Sequence, residues 1–385
     1  MNPVRAAIMV WVVLGAMAGA RAQEPATPPS TAPAQEVPPR GEAPLQDDAP
    51  ALDLNEVDTS VVHPFQFHGR VDLTAAVVEE GGGVDDFREF DIFPLSPALL
   101  FSYRFLTILK ADVEVEWEGL EEEIEVDRAV LEAEIFDEKL EIKVGRDVVP
   151  FGIERFRYSP SMNALVDRPA AFRKVFPGTF PDYGVFTSSR WTHPDGWGVS
   201  AETSLSFGLQ SGYDAEAVPE PPEDHNSNKQ FTGRLGFRPL ESLEVGASYL
   251  YCEYDRLSTL AVDFAGFDVS YKFYELEARA EWIGGDVERA PADGGTFHRK
   301  GWYLQLERRW PLPFRFPQAL RTVIRYDSID ANNHEQDALD LRRYAFGLNF
   351  ELMPRLILKI EHEINDERHD EIANDAYFCQ IVFSW

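Results

Sequence analysis

The 385-residue chain carries a formal net charge of −30, which excludes nucleic acid as its main partner, because a phosphate backbone repels an acidic surface. Its only cysteines, Cys252 and Cys379, sit far apart in strand-like runs and supply neither a disulfide framework nor a metal pattern. No stretch reaches the roughly 18 apolar residues that a membrane helix needs.

Residues 1–22 read as a cleaved export signal. Arg5 supplies the positive start, 6–18 an apolar run too short to span a bilayer, and Ala20, Arg21 and Ala22 the small-residue cleavage pattern. The mature chain is then expected to start at Gln23. Residues 23–60 are rich in proline and acids (Pro25, Pro28, Pro29 and Pro33; Glu36, Glu42, Asp47 and Asp48) and poor in large apolar side chains. Such a segment buries too little to offset its ordering entropy and reads as an extended periplasmic tether.

Residues 61–385 change period. Apolar and polar residues alternate strictly over 113–117, 140–144, 276–282 and 356–364, so the side chains point to opposite faces of a sheet. About 16 such runs, roughly ten residues each, match strands tilted across a bilayer. The breaks between them sort by length. Those at 104–107, 136–139, 192–196, 238–242, 272–275 and 352–355 are short, and only 310–318 on that side is longer. Those at 79–88, 147–182, 210–228, 284–296, 327–341 and 365–374 are long and polar. A soluble sandwich has no reason to sort its loops this way, whereas an outer-membrane barrel does. The expected fold is therefore all-β: a transmembrane antiparallel β-barrel in the outer membrane of a Gram-negative bacterium, whose closure pairs every backbone group in lipid.

The closing run 377–385 carries Tyr377, Cys379, Ile381, Phe383 and Trp385 on one parity and Gln380 and Ser384 on the other. The first row should face lipid, with Trp385 at the periplasmic interface and Tyr249, Tyr251, Trp282, Trp302, Tyr326, Tyr344 and Phe350 as further members of aromatic girdles. Over 124–135 the apolar parity switches near 127–129, which one extra residue in a β-bulge would produce. Counting back from Trp385, both termini lie on the periplasmic side, so 147–182 becomes the third outer loop.

That loop is long, about 36 residues, and structureless loops of such length are usually functional. Phe151, Ile153, Leu165, Phe172, Val175 and Phe176 make it too apolar for solvent, so it is expected to fold into the lumen. The run from Val144 through Gly145, Pro150, Phe151 and Gly152 to Glu154 resembles the phosphate-selective porin family (the porin O and P type). Phe67 to Leu73 and Asp182 to Val185 resemble it more weakly. The resemblance implies a 16-stranded barrel, a homotrimer, and passage of small anions such as phosphate. The two glycines fit a corner needing positive φ or close backbone approach, and Pro150 stops the strand ladder.

The charges depart from that family. Glu114, Glu116 and Glu361 are among several acids on lumen parity, and a carboxylate-lined channel concentrates cations. In the loop Arg155, Arg157, Arg168, Arg173 and Lys174 outnumber the acids, and Arg279, Arg309, Arg321, Arg325 and Arg343 offer a basic wall on lumen parity. Selectivity is set where the pore is narrowest, since fixed charges reach only about 8 Å at physiological salt. The expectation is therefore anion preference at a constriction formed by residues 148–182, with a cation-preferring or general pore, or a plugged anchoring barrel, as alternatives. No catalytic residues, metal ligands or cofactors are expected; the partners expected are outer-membrane lipid and lipopolysaccharide, small ions or solutes, and further copies of the chain.

Overall fold

The computed structural model describes residues 65–80, 87–118, 123–136, 139–154, 162–176, 181–209, 228–290, 295–334, 340–368 and 374–385; the expected signal and proline-rich segments lie outside them. The chain runs through β1 (Gln66–Glu80), β2 (Phe87–Leu106), β3 (Leu109–Glu118), β4 (Glu123–Ile135), β5 (Leu140–Val148) and β6 (Pro181–Thr192). It continues with β7 (Gly198–Ser206), β8 (Gln230–Leu240), β9 (Leu243–Glu253), β10 (Ala261–Phe273) and β11 (Leu276–Val287). The last strands are β12 (Phe297–Pro311), β13 (Ala319–Asp330), β14 (Leu341–Met353), β15 (Leu356–Glu367) and β16 (Ala376–Ser384). Among the described residues, one π-helical turn, Ala171–Val175, interrupts the strand order between β5 and β6.

Every strand pairs antiparallel with its chain neighbours, and β1 pairs with β16 to close the barrel. Closure removes the two free edges that an open sheet would expose. The connections sort as the sequence implies. Short links at 107–108, 136–139, 193–197, 241–242, 274–275 and 354–355 lie at one end, with 312–318 the longest there; long ones, 149–180 above all, lie at the other. Several strands exceed the expected ten residues: β2 spans 20 and both β1 and β12 span 15. Pairing continues toward the loop end because a ladder satisfies backbone groups in water as well as in lipid.

The two rows of each strand differ in kind. The outward row is a band of exposed apolar residues, among them Val185, Leu205, Leu235, Leu304, Leu348 and Ile381. The aromatic expectation holds on the same face. Trp282 and Trp302 are exposed, and Tyr326 sits 5.2 Å from Trp302 and 5.1 Å from Tyr344. In β16 Tyr377, Cys379, Ile381 and Phe383 all point outward, while Gln380 turns inward to Asp72 and Thr74. Trp385 stacks on Phe383 and lies so close to Gly69 that a Cβ there would meet its ring at 2.1 Å. The parity switch in β4 is a bulge: Glu114 pairs with Arg128 and Val115 with Val126, leaving Asp127 unopposed.

The inward row of β9–β14 is apolar at its loop-side end. Leu250, Val262, Phe264, Ile283, Val287, Phe297, Tyr303 and Ile329 are almost fully buried, and they form one cluster with Val149, Phe151, Phe172, Val175 and Phe176 from the segment between β5 and β6. A barrel wall facing water would have no use for such a row. It exists because another part of the chain covers it.

Candidate functional site

The segment that follows β5 is the part of the molecule with the most specific geometry. Its corner is set by two glycines. Gly145 has φ +136°, and a Cβ there would meet the Ala129 carbonyl oxygen at 2.1 Å; Gly152 has φ +65°, and a Cβ there would lie 1.9 Å from Glu281 Oε1. Both positions exclude a side chain on two counts, backbone conformation and space. The ladder of β5 stops at Val148 and Pro150 follows, so the chain leaves the wall at this point.

Beyond the corner, apolar packing and buried polar bonds tie the segment to β9–β15. Phe151 stacks on Phe176 at 4.2 Å, and Phe176 meets Phe264 edge-on at 5.7 Å. Three inward glycines make room for it. A Cβ would meet Phe151 at 3.0 Å on Gly266, Ala171 and Val175 at 3.0 Å on Gly301, and Leu165 at 2.5 Å on Gly347. The Gly152 amide donates to Ser248 Oγ at 3.0 Å. Tyr303 donates its hydroxyl to Glu154 Oε1 at 2.5 Å, and Arg279 Nε lies 3.4 Å from the same oxygen. Asn349 Nδ2 donates to the Ala164 carbonyl at 2.6 Å.

Carboxylates of the wall also capture the segment's backbone. Glu361 Oε2 accepts the amides of Val166 and Asp167, and Asp327 Oδ1 accepts that of Ala170 at 2.9 Å. Arg325 donates to the carbonyls of Asp167 and Arg168 at 2.9 and 3.2 Å. Asp167 bridges the loop and the wall, since Arg173 and Arg343 each donate to it at 2.6 Å. Burial alone would raise the Asp167 carboxyl, but Arg173, Arg343 and Arg325 outweigh it and hold the group below the usual carboxylate range.

These contacts change the expected roles of the arginines. Arg155 and Arg157 lie outside the described residues. Arg168 sits at the seat, where its carbonyl receives Arg325. Arg173 and Lys174 are exposed on the π-helical turn, although Arg173 is paired with Asp167. Each of the lumen-parity arginines from which a basic wall was expected is matched by carboxylates. Arg279 pairs with Glu154 and Glu307, Arg321 with Glu307 and Glu351, and Arg309 with Glu351 and Glu275. Arg325 pairs with Asp327 and Glu363, and Arg343 with Asp167 and Glu363. Uncompensated guanidinium groups so close together would repel one another, and burying them unpaired would cost several kcal/mol each, on the order of a buried ion's desolvation penalty.

Tyr303, Ser248, Asp327, Asn349 and Glu363 take part in the seat without having been expected there. A signal for them existed. Tyr303, Phe264 and Phe297 are large apolar groups on the parity reserved for polar side chains, and inward glycines recur beside them. Below the segment, at the short-turn end, lies a cavity of about 470 Å³ lined on one side by Met162, Asn163 and Ala164. Its charged lining alternates in sign: Arg238, Lys272, Arg279, Arg321 and Lys359 face Glu241, Glu244, Glu277, Glu307 and Glu351. Among the described residues, no three His, Cys, Asp or Glu side chains are grouped to hold a metal.

No family model matches this chain. It is 24% identical over 336 residues to an uncharacterized protein of Aquifex aeolicus, covering 74% of this chain and 73% of that one. Among solved structures it resembles the anion-selective porin from Comamonas acidovorans, with a TM-score of 0.56 at 14% identity over 84% of this chain and 99% of that one. It also resembles OmpT, an outer membrane protein of Vibrio cholerae, in its trimer form, with a TM-score of 0.53 at 11% identity over 84% of this chain and 99% of that one. These likenesses establish the fold, a closed antiparallel barrel of the kind bacterial outer-membrane porins adopt.

Proposed function

We propose that the chain is an exported outer-membrane porin, a passive channel for small hydrophilic solutes in which the segment after β5 narrows the lumen. The observation that carries this reading is the seat itself. A long segment between two wall strands is bonded to the inward faces of β9–β15, and a barrel that merely anchored something would not need a partition built on one side. Removal of residues 1–22 and a homotrimeric assembly complete the reading; the trimer form of the Vibrio cholerae protein supports the latter.

The finer expectation, preference for anions and for phosphate in particular, draws support from the motif over 144–154, from the name of the Comamonas acidovorans protein, and from exposed Arg173 and Lys174. The matched arginines of β11–β14 take away the rest of its basis. The dry core between the segment and β9–β14 favours a second reading, a plugged barrel without transport. Purified protein in planar bilayers separates the two: discrete conductance steps are expected, and a silent barrel at every applied potential would sink the channel.

A further inference from the structure

In its described residues, 149–154 and 162–176, the segment lies against one side of the lumen. Its bonds fall on β9 and on β11–β15, and its π-helical turn packs on β11–β13. Across from it, on β1–β5, the inward side chains pair mainly with their strand neighbours; Asp112 and Glu132 are buried in this network at 4% side-chain exposure each, while Glu141, Glu116 and Asp72 retain contact with water. Side-chain exposure is 34% at Glu141, 19% at Glu116 and 17% at Asp72, against 2% or less for Arg325, Asp327 and Glu363 at the seat. A permeant ion interacts with charges it can approach, and interactions through water over more than about 8 Å are screened. The buried ion pairs under the segment are therefore poor selectors, and the half-wet ones opposite are good ones.

The facing wall has a surplus of acid. Arg104 and Arg146 hold one carboxylate each, Glu134 and Glu125, whereas Arg70, Lys110, Arg128 and Lys143 share six between them. Arg70 lies 3.2 Å from Asp72 and 2.7 Å from Glu116. Lys110 and Arg128 contact the same two groups, Asp112 and Glu132. Arg128 and Lys143 then share Asp147, and Lys143 also contacts Glu141. Glu114, opposite Arg128 in the β3–β4 register, adds one more carboxylate to the β3 row, between Asp112 and Glu116. The cavity farther down, with its alternating signs, imposes no net preference.

We infer that β3–β5 form a cation-selecting wall, with Glu114, Glu116 and Glu141 as its specificity-determining residues, and that the solutes favoured are small inorganic or organic cations. A half-enclosed surface with surplus carboxylate concentrates cations and depletes anions, and the low-dielectric wall behind it focuses the field. Among the described residues of the segment, the exposed cations Arg173 and Lys174 oppose this from one turn, where Arg173 is paired with Asp167. This inference rests on the channel reading and reverses the sign that the basic residues of the loop suggest.

The test is the reversal potential of the full-length protein in planar bilayers under a potassium chloride gradient. Potassium is expected to permeate roughly threefold or more better than chloride at low salt, declining as salt rises. Glu114→Gln with Glu141→Gln should bring the ratio close to one, while Arg173→Gln with Lys174→Gln should leave potassium preferred. A conducting barrel that prefers chloride, or whose preference survives the paired glutamate changes, overturns the inference alone. Absence of conductance overturns the channel reading and this inference with it.

Discussion

The β9–β15 side of the barrel and the β1–β5 side begin from the same strand pattern and end in different physical states. On the first, aromatic rings, inward glycines and ion pairs pack as tightly as in a soluble core, and water is displaced. On the second, Asp112 and Glu132 are buried, but the salt bridges of Asp72, Glu116 and Glu141 stay in contact with water. A side chain 0% exposed at Asp327 and one 34% exposed at Glu141 do different work although both are carboxylates on an inward row. Desolvation turns the first into a structural bolt that captures a backbone amide, whereas water keeps the second available to passing ions.

That contrast can be broken experimentally. The largest effect is expected at Phe176, 1% exposed, stacked on Phe151 and edge-on to Phe264. Phe176→Ala should weaken the seat by about 3–5 kcal/mol, as for a buried aromatic, raising conductance and opening residues 149–176 to protease. Unchanged conductance and resistance would show that apolar packing is not what holds the segment.

Acid should act on the same side. Asp167 titrates below its ordinary 3.8 in the folded chain, so its contribution is complete above that pH and is lost as pH falls through the lower folded value. The conductance step that Asp167→Asn abolishes is expected only below about pH 4. If that Asp167-dependent step were centred near neutrality, it would contradict the geometry around Asp167. The smallest effect belongs to the wet side. Arg104 makes two good bonds to Glu134, at 2.6 and 2.8 Å, yet Arg104→Ala should cost no more than about 1 kcal/mol in thermal unfolding, because the guanidinium, 23% exposed, is partly solvated already. A larger loss would mean that the two sides do not differ as described.

Much of this was legible beforehand. Period two, the sorted connections, the closing row Tyr377 to Phe383 and even the bulge at Asp127 follow from local pattern, because lipid on one side and water on the other impose a rule on every second residue. The corner glycines were readable too, since few other residues tolerate those positions. The lumen was less readable. Arg279, Arg321, Arg325 and Arg343 look like a basic wall when taken by parity, but parity says which face a side chain occupies and nothing about its neighbour across the strand. The register that places Arg321 beside Glu307 and Glu351, or Arg343 beside Glu363, crosses strands at separations that no local pattern carries.

By itself, then, the sequence determined that the chain alternates, closes with an aromatic strand and places its longest connection at one end, all consequences of a periodic solvent boundary. Only the tertiary structure decided which inward side chains are dry and which are wet. That depends on where the segment after β5 comes to rest, and it rests where Gly266, Gly301 and Gly347 leave room. Close packing is a property of surfaces brought together from distant parts of the chain, so it is settled by the fold and not by any one stretch of it.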